Sequence, residues 1–540
     1  MKKEYRKRII LFVIWLLFAG MIAFRLFFRL GQGVVEITDE AWYGVNTYEM
    51  FQTGNWIVPT HHYEIDYGSK PPLQLWLILI CNCIFGCGPF ALRLPSAIAA
   101  FVTLIIVSLY LRHRYSDLTA VFFAASFFSL RQIFLLHGFR AGDMDALFCL
   151  LYAVAMISMA GVLRGRYRCL VLYGLTIGLA FLTKSMHAVM FVFAGVMLLV
   201  VRLVLARSTK AECPEKPDRK SLIRILAASA SAAVLPVAAW LAMRYPYDGF
   251  AYVRAIAFGE TENKVNAGSG GIPEAALGYL GDIGREKITW LLLLVIAVRI
   301  LLAVIVHFRT PAESRDRTGA ALPGWFYRNS VALTGYMAPI LFYVLAGSYM
   351  EWYIYPSYIG VCVLIAVIAS ECAGILRSGI CAPDGTVADD RESSVTKRMY
   401  PWQAAVFAVC ILGLCALYGG KQLSECRFIG LGGNARDQFS HDLREYLEAN
   451  GDINRGKRAY LALDRMRNYG DRGHWELDYI FYCDTITGFD CVDGGVEAFL
   501  EDEDSLLILD GELWDQYADV LTGHVFLELN TFYIMNHDWY

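Results

Sequence analysis

A series of long apolar runs constrains the fold of this chain more than any other feature. About eleven runs are long enough, or nearly so, for helices that cross a bilayer. They lie at residues 9–28, 91–111, 118–136, 145–163, 169–183, 186–206, 222–243, 288–307, 330–346, 353–372 and 402–419. The composition agrees, because 56% of the residues are hydrophobic and only 18% are charged. We therefore predict an α-helical polytopic membrane protein with about eleven transmembrane helices.

The charges between the runs predict which loops face the cytoplasm. Lys2, Lys3 and further basic residues precede the first run, which places the N-terminus inside. Residues 73–85 are apolar over a short stretch that follows two prolines, so we predict an interfacial helix there. With that assignment the loops that contain Lys or Arg clusters all face inside, at 112–114, 164–168, 207–221, 308–329 and 373–401.

This topology gathers the unusual polar residues on the outer face. The segments that meet there are 29–72, the turn 137–145, the Lys184 turn, the loop 244–287 and residues 348–353. Charged residues at the ends of membrane helices often mark function. We therefore predict an active site on the outer side of the membrane.

Two domains are predicted. Residues 1–419 form the transmembrane domain, with a first outer loop at 29–90. Residues 420–540 are polar and acidic, and short apolar strands at 460–463, 505–509 and 525–529 alternate with helical patterns such as 442–449. We expect a small soluble α/β domain outside the membrane. The net charge of −3 gives no support for a nucleic-acid partner, which leaves the lipid bilayer as the expected environment.

The first outer loop carries adjacent carboxylates, Asp39 and Glu40, directly after the first span. A carboxylate at that position can accept a proton from an acceptor hydroxyl while a new bond forms. The same residues also suit the N-terminus of a helix over 41–51, where acidic side chains are favoured. The residues alone do not decide between these two interpretations.

The second outer turn contains Arg140, Asp143 and Asp145. Arg140 could bind a phosphate or pair with Asp143, and Asp145 could be catalytic or simply begin the next helix. Lys70 precedes two prolines, and Lys184 lies between two spans. Both are cations that a leaving phosphate would need, although Lys184 could also snorkel to the interface.

Two further groups are open to more than one interpretation. Tyr353 lies in an aromatic run that is typical of an interfacial belt and that could also hold a lipid phosphate or a sugar. His61, His62, Glu64 and Asp66 could bind a metal, but their spacing matches no standard site. No cofactor is predicted with certainty, and a divalent cation is left open.

Several motifs, in order along the chain, resemble one family. They are Asp39-Glu40-Ala41-x-Tyr43, Gly54-Asn55-Trp56-x-Val58-Pro59, Tyr67-x-x-Lys70-Pro71-Pro72-Leu73, Arg93-Leu94-Pro95-Ser96, the turn from His137 to Asp145, and Gly178 to Lys184. Together they resemble the polyprenol-phosphate-sugar-dependent glycosyltransferases of the GT-C fold, which include bacterial aminoarabinose transferases and protein O-mannosyltransferases. The chain departs from that pattern at Ser69, where the family often has an acidic residue, and at Ser185-Met186, where it has Gly-Pro.

The resemblance implies inverting transfer of a monosaccharide from an undecaprenyl-phosphate-linked donor. It implies that Asp39, with Glu40 beside it, is either the base that acts on the acceptor or a carboxylate that orients the acceptor. Tyr67, Lys70, Arg140 and Lys184 would contact the donor phosphate, and Asp143 and Asp145 would shape the sugar site. The acceptor would be lipid A, a glycan or a protein of the envelope of a bacterium. A transporter and a non-catalytic envelope assembly protein are the alternatives.

Overall fold

The computed structural model describes residues 2–33, 35, 39–135, 137–209, 217–256, 271–309, 321–378, 401–426, 449, 457–462, 477–487, 490–492, 494–529 and 532–537. Helices dominate the chain up to residue 426. In chain order they are α1 Lys2–Phe27, α2 Asp39–Thr53, α3 Leu73–Phe85, α4 Pro89–Arg114, α5 Asp117–Phe128, α6 Gln132–Leu135, α7 Asp145–Val162, α8 Cys169–Lys184, α9 Val189–Thr209, α10 Arg219–Asp248, α11 Ala251–Arg254, α12 Gly271–Arg285, α13 Lys287–Arg309, α14 Ala321–Leu345, α15 Tyr355–Ser378 and α16 Pro401–Glu425.

Eight helical segments within the described residues are long and apolar enough to cross a membrane. Three differences separate this number from the predicted eleven. The runs at 169–183 and 186–206 fall in one helical segment of 39 residues, Cys169–Arg207, within which the chain reverses, because the hydroxyl of Tyr173 in α8 donates to the carbonyl of Phe191 in α9 at 2.6 Å. The run at 118–136 contains α5, which has only 12 residues. The run at 330–346 lies in α14, which is not among the eight. The predicted fold class, a helical polytopic protein, is confirmed.

Local sequence explains where several helices begin. Pro89 is the first residue of α4, where the missing N–H of proline costs nothing. The side chain of Ser116 accepts a hydrogen bond from the backbone N–H of Thr119 at 3.1 Å and caps α5. The short helix α3 follows Pro71 and Pro72 and coincides with the predicted interfacial helix. A run of thirteen residues is too short to cross the bilayer unaided.

Glycines allow α8 and α10 to approach each other closely. A Cβ atom added at Gly174 would lie 2.1 Å from the carbonyl oxygen of Ser229, and one added at Gly178 would lie 2.4 Å from that of Ala233. Small residues at such crossings permit backbone contact between membrane helices. The motif around Gly178 therefore has a packing function in addition to leading into Lys184.

A short two-stranded ladder, β1 Thr60–His61 and β2 Glu64–Ile65, precedes α3. The C-terminal segment forms a second sheet of five strands, which are β3 Arg458–Ala462, β4 Asp490–Val492, β5 Ser505–Asp510, β6 Val525–Leu529 and β7 Phe532–Asn536. The order of strands in this sheet is β4-β3-β5-β7-β6. β3 is parallel to β4 and β5, whereas β7 is antiparallel to β5 and β6. Helices α17 Leu477–Tyr482, α18 Gly495–Glu501 and α19 Trp514–Leu521 complete this part.

The structure and the sequence prediction differ at the edges of this domain. The three predicted strands coincide with β3, β5 and β6. Helix α16 continues to Glu425, past the predicted boundary at 419. The predicted helix at 442–449 lies outside the described residues except for position 449.

The C-terminal domain packs directly on α2, the helix that begins at Asp39. The backbone N–H of Val35 donates to the hydroxyl of Tyr482 at 2.6 Å. The ring of Phe481 lies so close to Gly44 that a Cβ atom there would be 2.7 Å from it. Buried residues of α2 and α3 share one hydrophobic cluster with buried residues of β3 and β5. The domain thus supports the helix that carries the predicted base.

Candidate functional site

The first residue of α2 meets the turn that precedes α7. Side-chain oxygens of Asp39 and Asp143 and a ring nitrogen of His137 all lie within 4.8 Å of one another. Asp143 and His137 are buried, whereas Asp39 is partly exposed. The structure therefore brings together two of the predicted carboxylates, from two segments that are far apart in the chain.

The turn holds Asp143 in a fixed position. His137 Nδ1 forms a hydrogen bond with Asp143 Oδ2, and the N–H of Met144 donates to Oδ1 at 2.6 Å. Ser96 Oγ donates to the Asp143 carbonyl at 2.8 Å. The His137 ring stacks on Trp352, with ring centroids 4.0 Å apart. Contacts from α4, from the turn itself and from the segment before α15 thus constrain this carboxylate.

The pKa values of the two carboxyl groups are driven in opposite directions. Burial raises the pKa of Asp39, and the negative charge of Asp143 adds to this, against the opposing charges of His137, Lys70 and Lys184. Burial also acts to raise the pKa of Asp143, but the hydrogen bond and charge of His137, together with Lys184, lower it overall. Of the two carboxyl groups, Asp39 is therefore the more basic, which suits it to exchange a proton.

The same three side chains fit a divalent cation. Two carboxylates and one imidazole form a ligand set that Mn²⁺, Fe²⁺ or Zn²⁺ accepts. Two ligands that each lie about 2.1 Å from one ion are about 4 Å apart at most, so the 4.8 Å spread needs only a small contraction. An ion here would replace the proton between His137 and Asp143. Among the described residues, positions 61–66 form no such cluster.

Asp145 and Lys184 form a buried ion pair beside this cluster. Lys184 Nζ donates to both carboxylate oxygens of Asp145 at 2.7 Å. The ammonium also lies 5.4 Å from the ring centroid of Tyr353, which is itself buried and 4.9 Å from the ring of Tyr343. Lys184 thus joins the end of α8 to the start of α7, and its charge is balanced by Asp145 without a phosphate.

Glu40 is the second carboxylate of the predicted pair, and its side chain ties three segments together. Its two oxygens accept hydrogen bonds from Arg93 Nε at 2.7 Å and Nη2 at 3.0 Å. The N–H of Gly142 donates to the same carboxylate at 2.7 Å. Arg93 also donates to the carbonyls of Leu30 and Gln32 at 3.2 and 3.0 Å. We therefore assign Glu40 a structural role, in which it holds α2, α4 and the second turn together, rather than a direct role in the reaction.

Arg140 caps the end of α1. Its Nη1 donates to the carbonyls of Arg25 and Leu26, and its Nη2 to those of Phe28 and Arg29. Burial lowers the pKa of Arg140 to about 10. The last carbonyls of a helix have no partners within the helix, and a cation is favourable there. This guanidinium is occupied by the backbone, which argues against its predicted contact with a phosphate.

Lys70 lies close enough to Asp39 for its charge to act on that carboxyl group. Its side chain is partly buried. Tyr67, three residues earlier, is 42% exposed and faces solvent. Lys70 is therefore a predicted phosphate contact whose charge the structure places near Asp39, together with that of Lys184.

An aspartate that the sequence only suggested as a metal ligand organises the Lys70 loop. Asp66 Oδ1 accepts from the backbone N–H groups of Gly68 and Ser69, at 2.8 and 3.1 Å. Its Oδ2 accepts from Trp42 Nε1 and from Asn46 Nδ2. The pattern Asp-x-Gly-Ser is typical of a turn in which aspartate bonds to the backbone that follows it. That signal could have identified Asp66 as a positioning residue.

Comparison with solved structures establishes the fold. ArnT from Cupriavidus metallidurans bound to undecaprenyl phosphate superposes with a TM-score of 0.64 over 96% of this chain and 97% of that chain, at 15% identity. This chain has the GT-C fold. The GT-C likeness that the sequence motifs indicated is thereby confirmed. A family model, dolichyl-phosphate-mannose-protein mannosyltransferase, also matches residues 69–240. That match includes Lys70, the second turn and Lys184 of the GT-C domain.

Two curated relatives resemble the same part of the GT-C domain. The undecaprenyl phosphate-alpha-4-amino-4-deoxy-L-arabinose arabinosyl transferase of Pseudomonas savastanoi pv. phaseolicola is 30% identical over 182 residues, or 32% of this chain. The corresponding transferase 2 of Pseudomonas fluorescens is 32% identical over 184 residues, or 32% of this chain. The chain spans about a third of the length of these relatives, 32% and 31%.

Proposed function

We propose that this chain is an integral membrane glycosyltransferase that moves a monosaccharide from an undecaprenyl-phosphate-linked donor to an envelope acceptor, with inversion. The acceptor is a lipid such as lipid A, a glycan or a protein. The observation that carries this proposal is the meeting of Asp39, His137 and Asp143 within 4.8 Å, next to the charge of Lys70, in a GT-C fold.

In the proposed reaction, Asp39 accepts the proton of the acceptor hydroxyl as that oxygen attacks the anomeric carbon. The bond between the anomeric carbon and the phosphate oxygen breaks, and the electron pair leaves with the lipid phosphate. Attack from the face opposite the leaving group inverts the anomeric configuration. A carboxyl group with a raised pKa suits this transfer, because its basicity lies nearer to neutral pH.

Lys70 is proposed to stabilise the charge that develops on the departing phosphate. A positioned cation in a site with little water is worth far more than the same cation in bulk water. Lys184 and Asp145 are proposed to support the site through their ion pair. The hydrogen bond between His137 and Asp143 holds the Asp143 carboxylate in place, and the negative charge of Asp143 helps to raise the pKa of Asp39.

The proposed location is the bacterial plasma membrane. The site and the C-terminal domain would face the extracytoplasmic side, as the basic loops predict. The proposed boundary between the two domains lies at the end of α16. A lipid-linked donor would enter sideways from the bilayer, and the acceptor would approach from outside.

The proposal can be tested in proteoliposomes with a panel of undecaprenyl-phosphate sugars and envelope acceptors. Release of undecaprenyl phosphate that requires both donor and acceptor supports it. Absence of turnover with every donor, in protein that unfolds cooperatively, would overturn it. Each reaction is run with Mn²⁺ and with EDTA. If EDTA lowers the activity of the native protein but does not change that of His137→Ala, the result would support a cation bound by Asp39, His137 and Asp143.

Replacing Asp66 by alanine is expected to weaken donor binding more than it slows the chemical step. The change removes the acceptor of four hydrogen bonds that shape the loop before Lys70. A freer loop must be ordered each time a donor binds, so we expect KM for the donor to rise about tenfold, with kcat within about threefold. Glu64→Gln, an exposed carboxylate of the same loop, is the matched control. An unchanged KM would show that the loop holds its shape without Asp66.

A further inference from the structure

A buried ion pair at the end of α10 lies outside the site described above. Arg244 Nε donates to Asp248 Oδ2 at 2.6 Å. The Arg244 side chain is 1% exposed and that of Asp248 is 0% exposed. The contact uses one nitrogen of the guanidinium and one oxygen of the carboxylate. Both groups therefore retain unused hydrogen-bonding capacity.

Three buried atoms of this pair have no hydrogen-bond partner within the described part of the chain. They are Nη1 and Nη2 of Arg244 and Oδ1 of Asp248. Burying polar groups without partners is unfavourable, and native proteins rarely tolerate it. The contrast within this protein is strong, because Arg93, which is also buried, has its Nε, Nη1 and Nη2 all bonded. Two nitrogens of the buried Arg244 guanidinium thus lack a hydrogen-bond acceptor among the described residues.

The unused atoms specify the chemistry of a ligand. The two Nη groups need acceptors, while Asp248 Oδ1 needs a donor. Neighbouring hydroxyl groups on a sugar ring provide both, since each hydroxyl donates and accepts. A phosphate would satisfy Arg244 but would bring its charge against the unpaired oxygen of Asp248. The pair is neutral as a whole, which also favours a neutral, hydroxyl-rich group.

The pair lies one side chain away from the Lys70 loop. The Arg244 guanidinium carbon is 3.8 Å from the ring centroid of Tyr252. The hydroxyl of Tyr252 donates to the carbonyl of Ser69 at 3.1 Å, immediately before Lys70. Tyr252 also packs edge-on against Trp240, with ring centroids 5.3 Å apart. A sugar linked to a phosphate at Lys70 would extend from this loop.

We propose that Arg244 and Asp248 form a sugar subsite that binds two neighbouring hydroxyl groups of the transferred monosaccharide. This inference rests on the proposed function. The two Nη groups of Arg244 donate to the sugar oxygens, and one sugar hydroxyl donates to Asp248 Oδ1. The subsite positions the sugar ring and takes no part in bond making or breaking.

The test uses donors that lack one hydroxyl at a time, compared in the native protein and in Arg244→Lys and Asp248→Asn. Both variants are expected to lower kcat/KM for the intact donor about tenfold. The native protein is expected to lose a similar factor when the contacted hydroxyl is removed, and the variants to lose less than twofold. Arg285→Lys, at an arginine that is 74% exposed and pairs with Asp282, is the control and should behave as the native protein.

Acceptor analogues distinguish the two sources of hydroxyl groups. The same comparison of kcat/KM is made with acceptors that each lack one hydroxyl. If the variants lose their sensitivity to a hydroxyl of the acceptor, and not to one of the donor, the subsite binds the acceptor and the proposal is wrong. Equal sensitivity of native and variant proteins to every missing hydroxyl would also overturn it, and would leave the pair a purely structural one. The unfolding midpoint identifies a variant that fails to fold. If Arg244→Lys fails to fold, the donors that each lack one hydroxyl are compared in the milder variant Asp248→Asn, and that comparison decides whether the subsite exists.

The test also separates this proposal from the proposed function. Donor binding is measured in Asp39→Asn protein by the change in tryptophan fluorescence, which needs no turnover. If native protein transfers no sugar, the proposed function fails, whatever Arg244 does. If native protein transfers sugar but Arg244→Lys in the Asp39→Asn background binds the donor as tightly as Asp39→Asn alone, only the subsite fails.

Discussion

Replacing Asp39 by asparagine is expected to lower the rate of sugar transfer by about 10²- to 10⁴-fold, the usual contribution of a positioned base. The amide keeps the size of the side chain and loses only the ability to accept a proton. The fold should survive, because Asp39 is partly exposed and lies at the very start of α2. The measurement is release of undecaprenyl phosphate in proteoliposomes, with the unfolding midpoint recorded in parallel.

Glu64→Gln supplies the matched control for this loss. It makes the same chemical change at an exposed carboxylate in the same outer loop, and we expect its rate to remain within twofold of the native rate. Asp143→Asn should also be slow, because it disturbs the His137 hydrogen bond. An Asp39→Asn protein as active as native would show that Asp39 is not the base and would leave Asp143 or Asp145 for that role.

The pH dependence provides a second test of Asp39. A base works only when it is deprotonated, and burial together with the charge of Asp143 raises the pKa of Asp39. Activity should therefore rise with pH through a pKa above that of an ordinary aspartate, and be lost as the pH falls below it. Lys70→Met removes an opposing positive charge, so the rising limb should move to higher pH. A limb that does not move would show that Asp39 does not control it.

The meeting of Asp39 with the turn before α7 could be predicted from the sequence because membrane topology is a strong constraint. Basic loops predict the orientation of the spans, and that prediction puts Asp39 and Asp143 on the same face. Length and hydropathy also separated the runs of α8 and α9, where the chain reverses through a short 3₁₀ turn at Ser185 and Tyr173 of α8 contacts Phe191 of α9. A short interruption of the apolar pattern marks this reversal in the sequence, although the helical segment has no break there.

The partners of the charged residues could not be predicted. Lys70, Arg140 and Lys184 are equally suited by type to bind a phosphate. In the structure Lys184 is neutralised by Asp145, and Arg140 is used by the carbonyls at the end of α1. These partners are far away in the chain, and backbone carbonyls carry no signal in the sequence. Only the packing of the helices decides which partner each cation has.

The same limitation applies to Glu40, and it leads to the second large expected effect. Replacing Glu40 by glutamine is expected to lower the free energy of unfolding by about 3–5 kcal/mol, the range found when one partner of a buried ion pair is removed. The side chains of Arg93 and Glu40 are only 7% and 3% exposed, so Arg93 would be left as a buried charge without its counter-ion. The measurement is the midpoint of denaturant unfolding of the protein in detergent micelles.

The pair between Arg112 and Asp117 is the matched control for this experiment. Its Nε–Oδ1 distance is 2.7 Å, the same as that between Arg93 and Glu40, but its side chains are 56% and 27% exposed. Asp117→Asn should therefore cost at most about 1 kcal/mol. Combining Glu40→Gln with Arg93→Met should recover part of the loss, because no charge is then left buried. Equal losses of stability in Glu40→Gln and Asp117→Asn would show that burial of the ion pair is not the cause. The structural function assigned to Glu40 would then have to be abandoned in favour of a direct contact with substrate.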